Sequence, residues 1–277
     1  GGTREKDLKA AKKLKAVTTE ACRMFNVSPI NGILFLQQHN LLPTPATPPA
    51  VASFLRTGVA QGLDKSVVGS FLGEAGRTEE QARARLREKK ATHETQTARF
   101  HADLLESYCG LFSFKGRPLL DNLRVFLSGF RLPGEAQQID RIIQSFAVTC
   151  GRECEEMSST DAFSSDPKKA ADTIYLLSFS IIMLNTDLHN PNIKAERKMK
   201  EADFVRLNTD YGPDIMDRPL PAPLLSSIYS SVLTSEIITL SDGPLGSMTS
   251  SRWSDTLSSV PPSANLFVCY PPGARRG

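Results

Sequence analysis

Hydrophobic residues recur along this chain at helical spacing and almost nowhere in the alternation of a half-buried strand. Leu119, Leu123, Phe126, Leu127 and Phe130 stand at offsets 0, 4, 7, 8 and 11, one stripe of a helix. Ile139, Ile142, Ile143, Phe146 and Ala147 repeat at 0, 3, 4, 7 and 8 on a second. Pro133-Gly134 lies between them, so the pattern predicts two amphipathic helices joined by a sharp corner over residues 131–134. Residues 171–184 are apolar on nearly every side, which predicts a helix surrounded by others, ended by the polar run 185–192.

Towards the N-terminus, residues 4–24 read as a Lys- and Ala-rich helix. Residues 25–32 read as a break, because Pro29 biases Ser28 away from helix and Asn31-Gly32 favours a turn; 33–36 restart a short helix. Four prolines between residues 43 and 49 predict a stiff extended connection. Leu63, Val67, Val68, Phe71 and Leu72 return to helical spacing, with Asp64 placed to cap that helix. In residues 77–99, eleven of 23 side chains are charged and Leu86 is the only large apolar one, so this segment predicts a solvated insertion and not core. Periodicity resumes over 104–114, a second polar loop spans 151–169, and the last helices fall at 201–208 and 223–238. From residue 241 onward, Ser, Pro and Gly make up 17 of 37 residues, a low-complexity tail that cannot easily offset the entropy of ordering. The expectation is an all-α fold of nine or ten helices over residues 4–238.

Composition changes this picture little. With 33 basic and 30 acidic side chains the net charge is +3, which gives no electrostatic footprint for nucleic acid. The longest nearly apolar run, residues 174–184, is 11 long, short of the roughly 18 to 20 that a membrane span needs. The N-terminus has no stretch like a signal peptide, so a soluble intracellular chain is expected. Six basic and two acidic residues over 4–15 offer a contact for anionic lipid, but a solvated first helix accounts for them better. The five cysteines form no Cys-x-x-Cys, and His39, His93, His101 and His189 do not gather near Cys150 and Cys154; plain reduced thiols are expected.

Most catalytic signatures are missing: no Gly-x-x-x-x-Gly-Lys phosphate loop, no His-Glu-x-x-His and no Gly-x-Ser-x-Gly. Asp187 and His189 offer two metal ligands without a third that can be named; capping and hydrogen bonding after a buried helix is the favoured reading. Glu135 is more informative. Pro133-Gly134 puts it at the tip of the corner, where it starts the next helix. It is either a carboxylate favoured by the helix dipole, worth about 0.3 to 1 kcal/mol, or a rigidly presented charge that enters another molecule.

Two long segments here resemble the two signatures of the Sec7 domain family, guanine-nucleotide exchange modules for Arf GTPases: Phe130-Arg131-Leu132-Pro133-Gly134-Glu135-Ala136-Gln137-Gln138-Ile139-Asp140-Arg141, and Ser178-Phe179-Ser180-Ile181-Ile182-Met183-Leu184-Asn185-Thr186-Asp187-Leu188-His189-Asn190-Pro191-Asn192. Weaker similarity covers about residues 8 to 238. The resemblance implies an all-helical, right-handed superhelix of about ten helices, with a groove between the central helices that grips the GTPase. Matched by motif, Glu135 is the catalytic glutamate finger, and Arg131, Leu132, Pro133, Gly134, Ile139, Asp140, Phe179, Met183, Asp187 and Asn190 are partner-binding positions. It further implies an Arf GTPase as partner, GDP-bound and then nucleotide-free. No cofactor or metal would belong to this chain, since magnesium and GDP or GTP belong to the partner. The implied location is cytoplasmic, with recruitment to Golgi or endosomal membranes. The alternative is a non-catalytic helical adaptor that binds a GTPase or peptide in the same groove, against which the intact Glu135 argues.

There are departures from the family pattern. Ile30-Asn31 stand where two lysines are frequent, and residues 77–99, 151–169 and 195–198 are longer than in compact members. Ser180, Asp187 and Met199 match the pattern of members sensitive to brefeldin A, whereas Phe179 replaces the usual Tyr, so at best partial sensitivity is expected.

Overall fold

A computed structural model describes residues 2–76, 97–153 and 162–238. Ten α-helices follow one another within them: α1 Gly2–Val27, α2 Pro29–Gln38, α3 Pro48–Gly58, α4 Lys65–Gly73, α5 Ala98–Cys109, α6 Leu119–Ser128, α7 Ala136–Cys150, α8 Pro167–His189, α9 Glu201–Asn208 and α10 Ala222–Thr234. Single 3-10 turns occupy Val59–Gln61 and Ala195–Arg197. The regular elements of the described residues are all helical, in agreement with the periodicity. Most of the predicted insertion (77–96), the middle of the polar loop (154–161) and the tail from residue 239 lie outside the described residues. Residues 97–99 are not loop but the start of α5, where the Thr97 hydroxyl accepts the N–H of Phe100 at 3.0 Å. The chain divides into two compact units: Gly1–Phe112 with Gly129–Arg131, and Ser113–Ser128 with Leu132–Gly277.

In the first unit, α1 runs on through Val27 and is interrupted only at Ser28, which is extended at φ −155°. Pro29 then occupies the first turn of α2, where its missing N–H is no loss. The expected break over 25–32 is therefore a one-residue joint, and Asn31-Gly32 is helical. Gly32 is there for packing: a Cβ on it would lie 2.5 Å from the Cβ of Phe25, so glycine lets α2 cross close to α1. The proline segment likewise shortens, because Pro48 and Pro49 open α3 and bury Val51, Ala52, Phe54 and Leu55. Phe25 stands edge-on to Phe54 at 5.7 Å and to Phe71 at 5.3 Å, a buried aromatic cluster at the middle of this unit. Asp64 caps α4 as expected, its carboxylate accepting the Ser66 N–H at 2.7 Å. Cys22 and Cys109 are buried thiols outside any disulfide.

The second unit is built on α7 and α8, which pack along each other. All five residues of the Ile139 stripe are buried, and Phe146 stacks on Phe126 at 5.0 Å and meets Phe114 edge-on at 5.4 Å. The Leu119 stripe is buried too, but α6 ends at Ser128, so Phe130 lies past the helix and packs within the first unit, 6.0 Å from the Tyr108 ring. Asn122 ties down the start of α6 by donating to the carbonyls of Phe114 and Arg117, both at 3.1 Å.

Helix α8 is longer at both ends than its apolar stretch. Asp166 caps it four residues early, accepting the Lys168 N–H at 2.9 Å. At the other end Asn185, Thr186 and Asp187 remain helical because their polar groups find partners. Asn185 exchanges two hydrogen bonds with the backbone of Ile237, at 2.8 and 2.7 Å, and the His189 ring donates from Nε2 to the Val232 carbonyl at 2.7 Å. Helix α10 stops at Thr234, short of the expected residue 238. Its terminal carbonyls are collected by Arg124, whose guanidinium donates to Ser231, Ser235 and Glu236 at 3.2, 2.6 and 3.1 Å.

Candidate functional site

The corner before α7 is stiff for a simple reason. Leu132 and Pro133 are buried, Gly134 and Glu135 are exposed, and regular helix begins only at Ala136. Upstream, within the first unit, the Arg131 N–H donates to the Lys65 carbonyl at 2.9 Å. A Cβ on Gly69 would fall 1.7 Å from the Arg131 carbonyl oxygen, so that close approach requires glycine. The Arg131 guanidinium donates to the carbonyl of Phe130 at 3.3 Å. Burial lowers the Lys65 ammonium pKa, and the neighbouring Arg131 charge adds to that.

Glu135 is the N-cap of α7. Its main-chain carbonyl accepts the N–H groups of Gln138 and Ile139, both at 3.1 Å, while its side chain makes no capping bond. Among the described residues no side chain holds the carboxylate. It stands exposed at the positive end of α7, so the dipole favours its charge but no local bond consumes it.

The remaining predicted residues of the second unit fall on α7 and α8. Ile139 and Phe179 have no exposed surface, so they shape the scaffold from inside. Asp140 is half-buried and accepts the hydroxyl of Tyr175. Tyr175 in turn meets Phe179 edge-on at 4.9 Å. Burial pushes the Tyr175 phenol well above its ordinary range, and the Asp140 carboxylate pushes the same way. Tyr175 was not among the residues singled out in the sequence, although it stands four positions before Phe179. Tyr175, Phe179, Met183 and Asp187 repeat every fourth residue and share one stripe of α8. Met183 is half-buried.

At the C-terminal end of α8 the polar residues organise the segment that leads to α9. Asn190 ends the helix, and its side-chain oxygen accepts the Asn192 N–H at 2.9 Å. One oxygen of Asp187 accepts the Met199 N–H at 2.6 Å. Lys198 donates to the Leu188 carbonyl at 2.5 Å, and the Tyr229 hydroxyl donates to the Met199 carbonyl at 2.9 Å. Burial raises the Asp187 carboxyl pKa, against the opposing pull of the Met199 N–H and the Lys198 charge. Thus Asp187 and His189 each bind the backbone of another segment. Among the described residues no three His, Cys, Asp or Glu side chains gather as metal ligands would.

The arrangement holds one unspent carboxylate on a rigid corner, beside a long helix whose half-buried stripe carries Met183, Asp187 and Asn190. A family model for the Sec7 domain matches residues 14–237. Brefeldin A-inhibited guanine nucleotide-exchange protein 1 of Homo sapiens is 33% identical over 226 residues, covering 82% of this chain and 10% of that protein. ARF guanine-nucleotide exchange factor GNOM of Arabidopsis thaliana is 36% identical over 235 residues, covering 84% and 14%. A solved structure of a Sec7 domain bound to ARF1-GDP and complexed with brefeldin A is similar at a TM-score of 0.61 and 27% identity, over 83% of this chain and 96% of that one. The chain spans only 10% to 16% of the length of the curated relatives it matches. No helix of the described residues is long and apolar enough to cross a membrane.

Proposed function

Because the chain belongs to the Sec7 domain family, we propose that it is a guanine-nucleotide exchange factor that expels GDP from an Arf small GTPase, with Glu135 as its catalytic finger. The observation that carries this reading is the exposed Glu135 carboxylate, which sits at a helix N-cap yet caps nothing. Glutamate is not among the residues preferred there for stability, so the position calls for another use.

The mechanism follows from charge. GDP is held on such a GTPase largely by magnesium and by cationic contacts to its phosphates. A carboxylate brought beside the β-phosphate competes with it for the metal and repels it. Two unit charges about 4 Å apart interact by about 4 kcal/mol at an effective dielectric near 20. That is roughly a thousandfold in nucleotide affinity. The buried corner residues Leu132 and Pro133 keep the finger from folding back when it meets a like charge. The stripe of Met183, Asp187 and Asn190 on α8, with the α7 face at Asp140, supplies the contact energy that remodels the GTPase and holds its empty form until GTP enters. Magnesium and nucleotide belong to the partner in this scheme. The exchange factor would work at a Golgi or endosomal membrane as a peripheral protein.

The test is GDP release from an Arf GTPase with the wild-type chain and with Glu135→Lys. Exchange should be abolished in the variant while its melting temperature and its binding to the GTPase persist. Retained exchange would remove the role of the finger. Brefeldin A should slow the wild-type reaction only in part, and more strongly after Phe179→Tyr; complete inhibition of the wild type would contradict the weight given to that position.

A further inference from the structure

The ten residues from Asn190 to Met199 form a strap with both ends rooted on the candidate contact stripe. It leaves α8 at Asn190 and returns to α8 at Met199, whose N–H is taken by Asp187 at 2.6 Å. Within this stretch Ala195–Arg197 form a 3-10 turn. The return is held from three directions. Asp187 takes the N–H of Met199, Tyr229 on α10 donates to its carbonyl at 2.9 Å, and Lys198 donates to the last turn of α8 at Leu188, at 2.5 Å. A cation bound to terminal carbonyls is the placement the helix dipole favours. Between its fixed ends the strap carries Lys194, Glu196 and Arg197, all exposed. An ordered loop with free charges, closed on the same two residues that the exchange reading assigns to partner contact, is built to be read by whatever lies on that stripe.

We infer that the Asn190–Met199 strap is a specificity element for the GTPase partner: Lys194, Glu196 and Arg197 contact an acidic-and-basic patch on it, and Tyr229 and Lys198 are positioning residues that hold the strap in place. This rests on the exchange reading of the same site. The strap acts on binding, so it changes KM and the choice among partners, whereas the chemistry of release stays with Glu135. Tyr229→Phe removes one hydrogen bond and keeps the ring, which lies 6.2 Å from Phe204. Lys194→Glu combined with Arg197→Glu reverses two exposed charges without touching any packed group.

The experiment is GDP release measured over a range of GTPase concentrations on a panel of Arf isoforms, with the wild-type chain, Tyr229→Phe and the double charge variant, alongside Glu135→Lys. Tyr229→Phe should raise KM about fivefold with kcat within about twofold, the signature of lost binding energy. The double variant should change the ratio of kcat/KM between isoforms by about threefold or more, because charge complementarity selects partners. If both variants match the wild type on every isoform while Glu135→Lys is inactive, the strap has no such role and the exchange reading stands. If Tyr229→Phe lowers kcat and melting temperature together and the double variant leaves all isoform ratios unchanged, the strap is structural only and the inference fails. If the wild type releases nothing from any isoform, the exchange reading fails and takes the strap with it.

Discussion

At the start of α8 the Asp166 carboxylate accepts the N–H of Lys168 at 2.9 Å, whereas at the start of α7 the Glu135 carboxylate accepts no N–H of its helix and stays exposed. Both are acids at helix N-caps in the same unit, and both enjoy the positive end of a helix dipole. They differ by one methylene and by what precedes them. Asp166 has the short side chain that reaches back to the backbone, and it sits in a network in which the Ser164 hydroxyl accepts the Asp166 N–H at 3.0 Å and donates to Asp217. Glu135 comes after a buried Pro133 and an exposed Gly134, on a turn that holds the main chain without any help from the carboxylate. A cap that caps is part of the fold. One that does not is free for a partner.

The sharpest way to break this comparison is to make Glu135 resemble Asp166. Glu135→Ser supplies a good N-cap and should stabilise the chain by roughly 0.5 kcal/mol, while exchange falls by about two to three orders of magnitude because the charge is gone. Denaturant unfolding and GDP release on the same preparation check both halves. A variant that is active would show that the corner, and not its charge, does the work. The converse change, Asp166→Ala, should cost about 1 kcal/mol and lower the melting temperature by roughly 2–4 °C, with exchange within about twofold of wild type. A larger loss of exchange than of stability would place Asp166 in the mechanism.

A smaller effect separates two other acids of the same unit by pH. Asp217 is held below its ordinary value of 3.8, chiefly by Lys169 at 2.7 Å and also by Ser164. Its stabilising contribution is present above 3.8 and is lost as pH falls through its lower folded value. Asp187 is raised above 3.8 by burial, so the folded state takes up its proton first, and lowering pH towards 3.8 relieves part of the cost of burying that charge. Asp217→Asn should therefore flatten the acid limb of the stability curve, whereas Asp187→Asn should steepen it. The Asp217 effect is modest because its side chain is 44% exposed and screened. Equal slopes for the two variants would contradict the assignment.

Sequence patterning was most reliable where burial is one-sided. The stripes on α6 and α7 and the Asp64 cap follow from spacing alone, since local periodicity and local caps need no knowledge of distant partners. It failed where long-range contacts override local preference. Asn31-Gly32 reads as a turn, yet the approach of Phe25 keeps it helical. Pro48-Pro49 reads as a linker, yet the apolar residues at 51, 52, 54 and 55 make it a helix start, and that signal was available. Asn185 to His189 reads as a helix end because their bonding partners, Ile237, Met199 and Val232, lie 12 to 52 residues away. In the candidate site the exposed corner glutamate was legible from Pro133-Gly134. The burial of Ile139 and Phe179, the Asp140–Tyr175 bond and the pinning of Met199 by Tyr229 were not, because each depends on which helices pack together.

The most direct test of the central claim is single-turnover GDP release from a magnesium-loaded Arf GTPase, comparing wild type with Glu135→Gln, which keeps the shape and removes only the charge. The account predicts a release rate about a thousandfold lower, with the GTPase still bound. Release at the wild-type rate by the glutamine variant would contradict it.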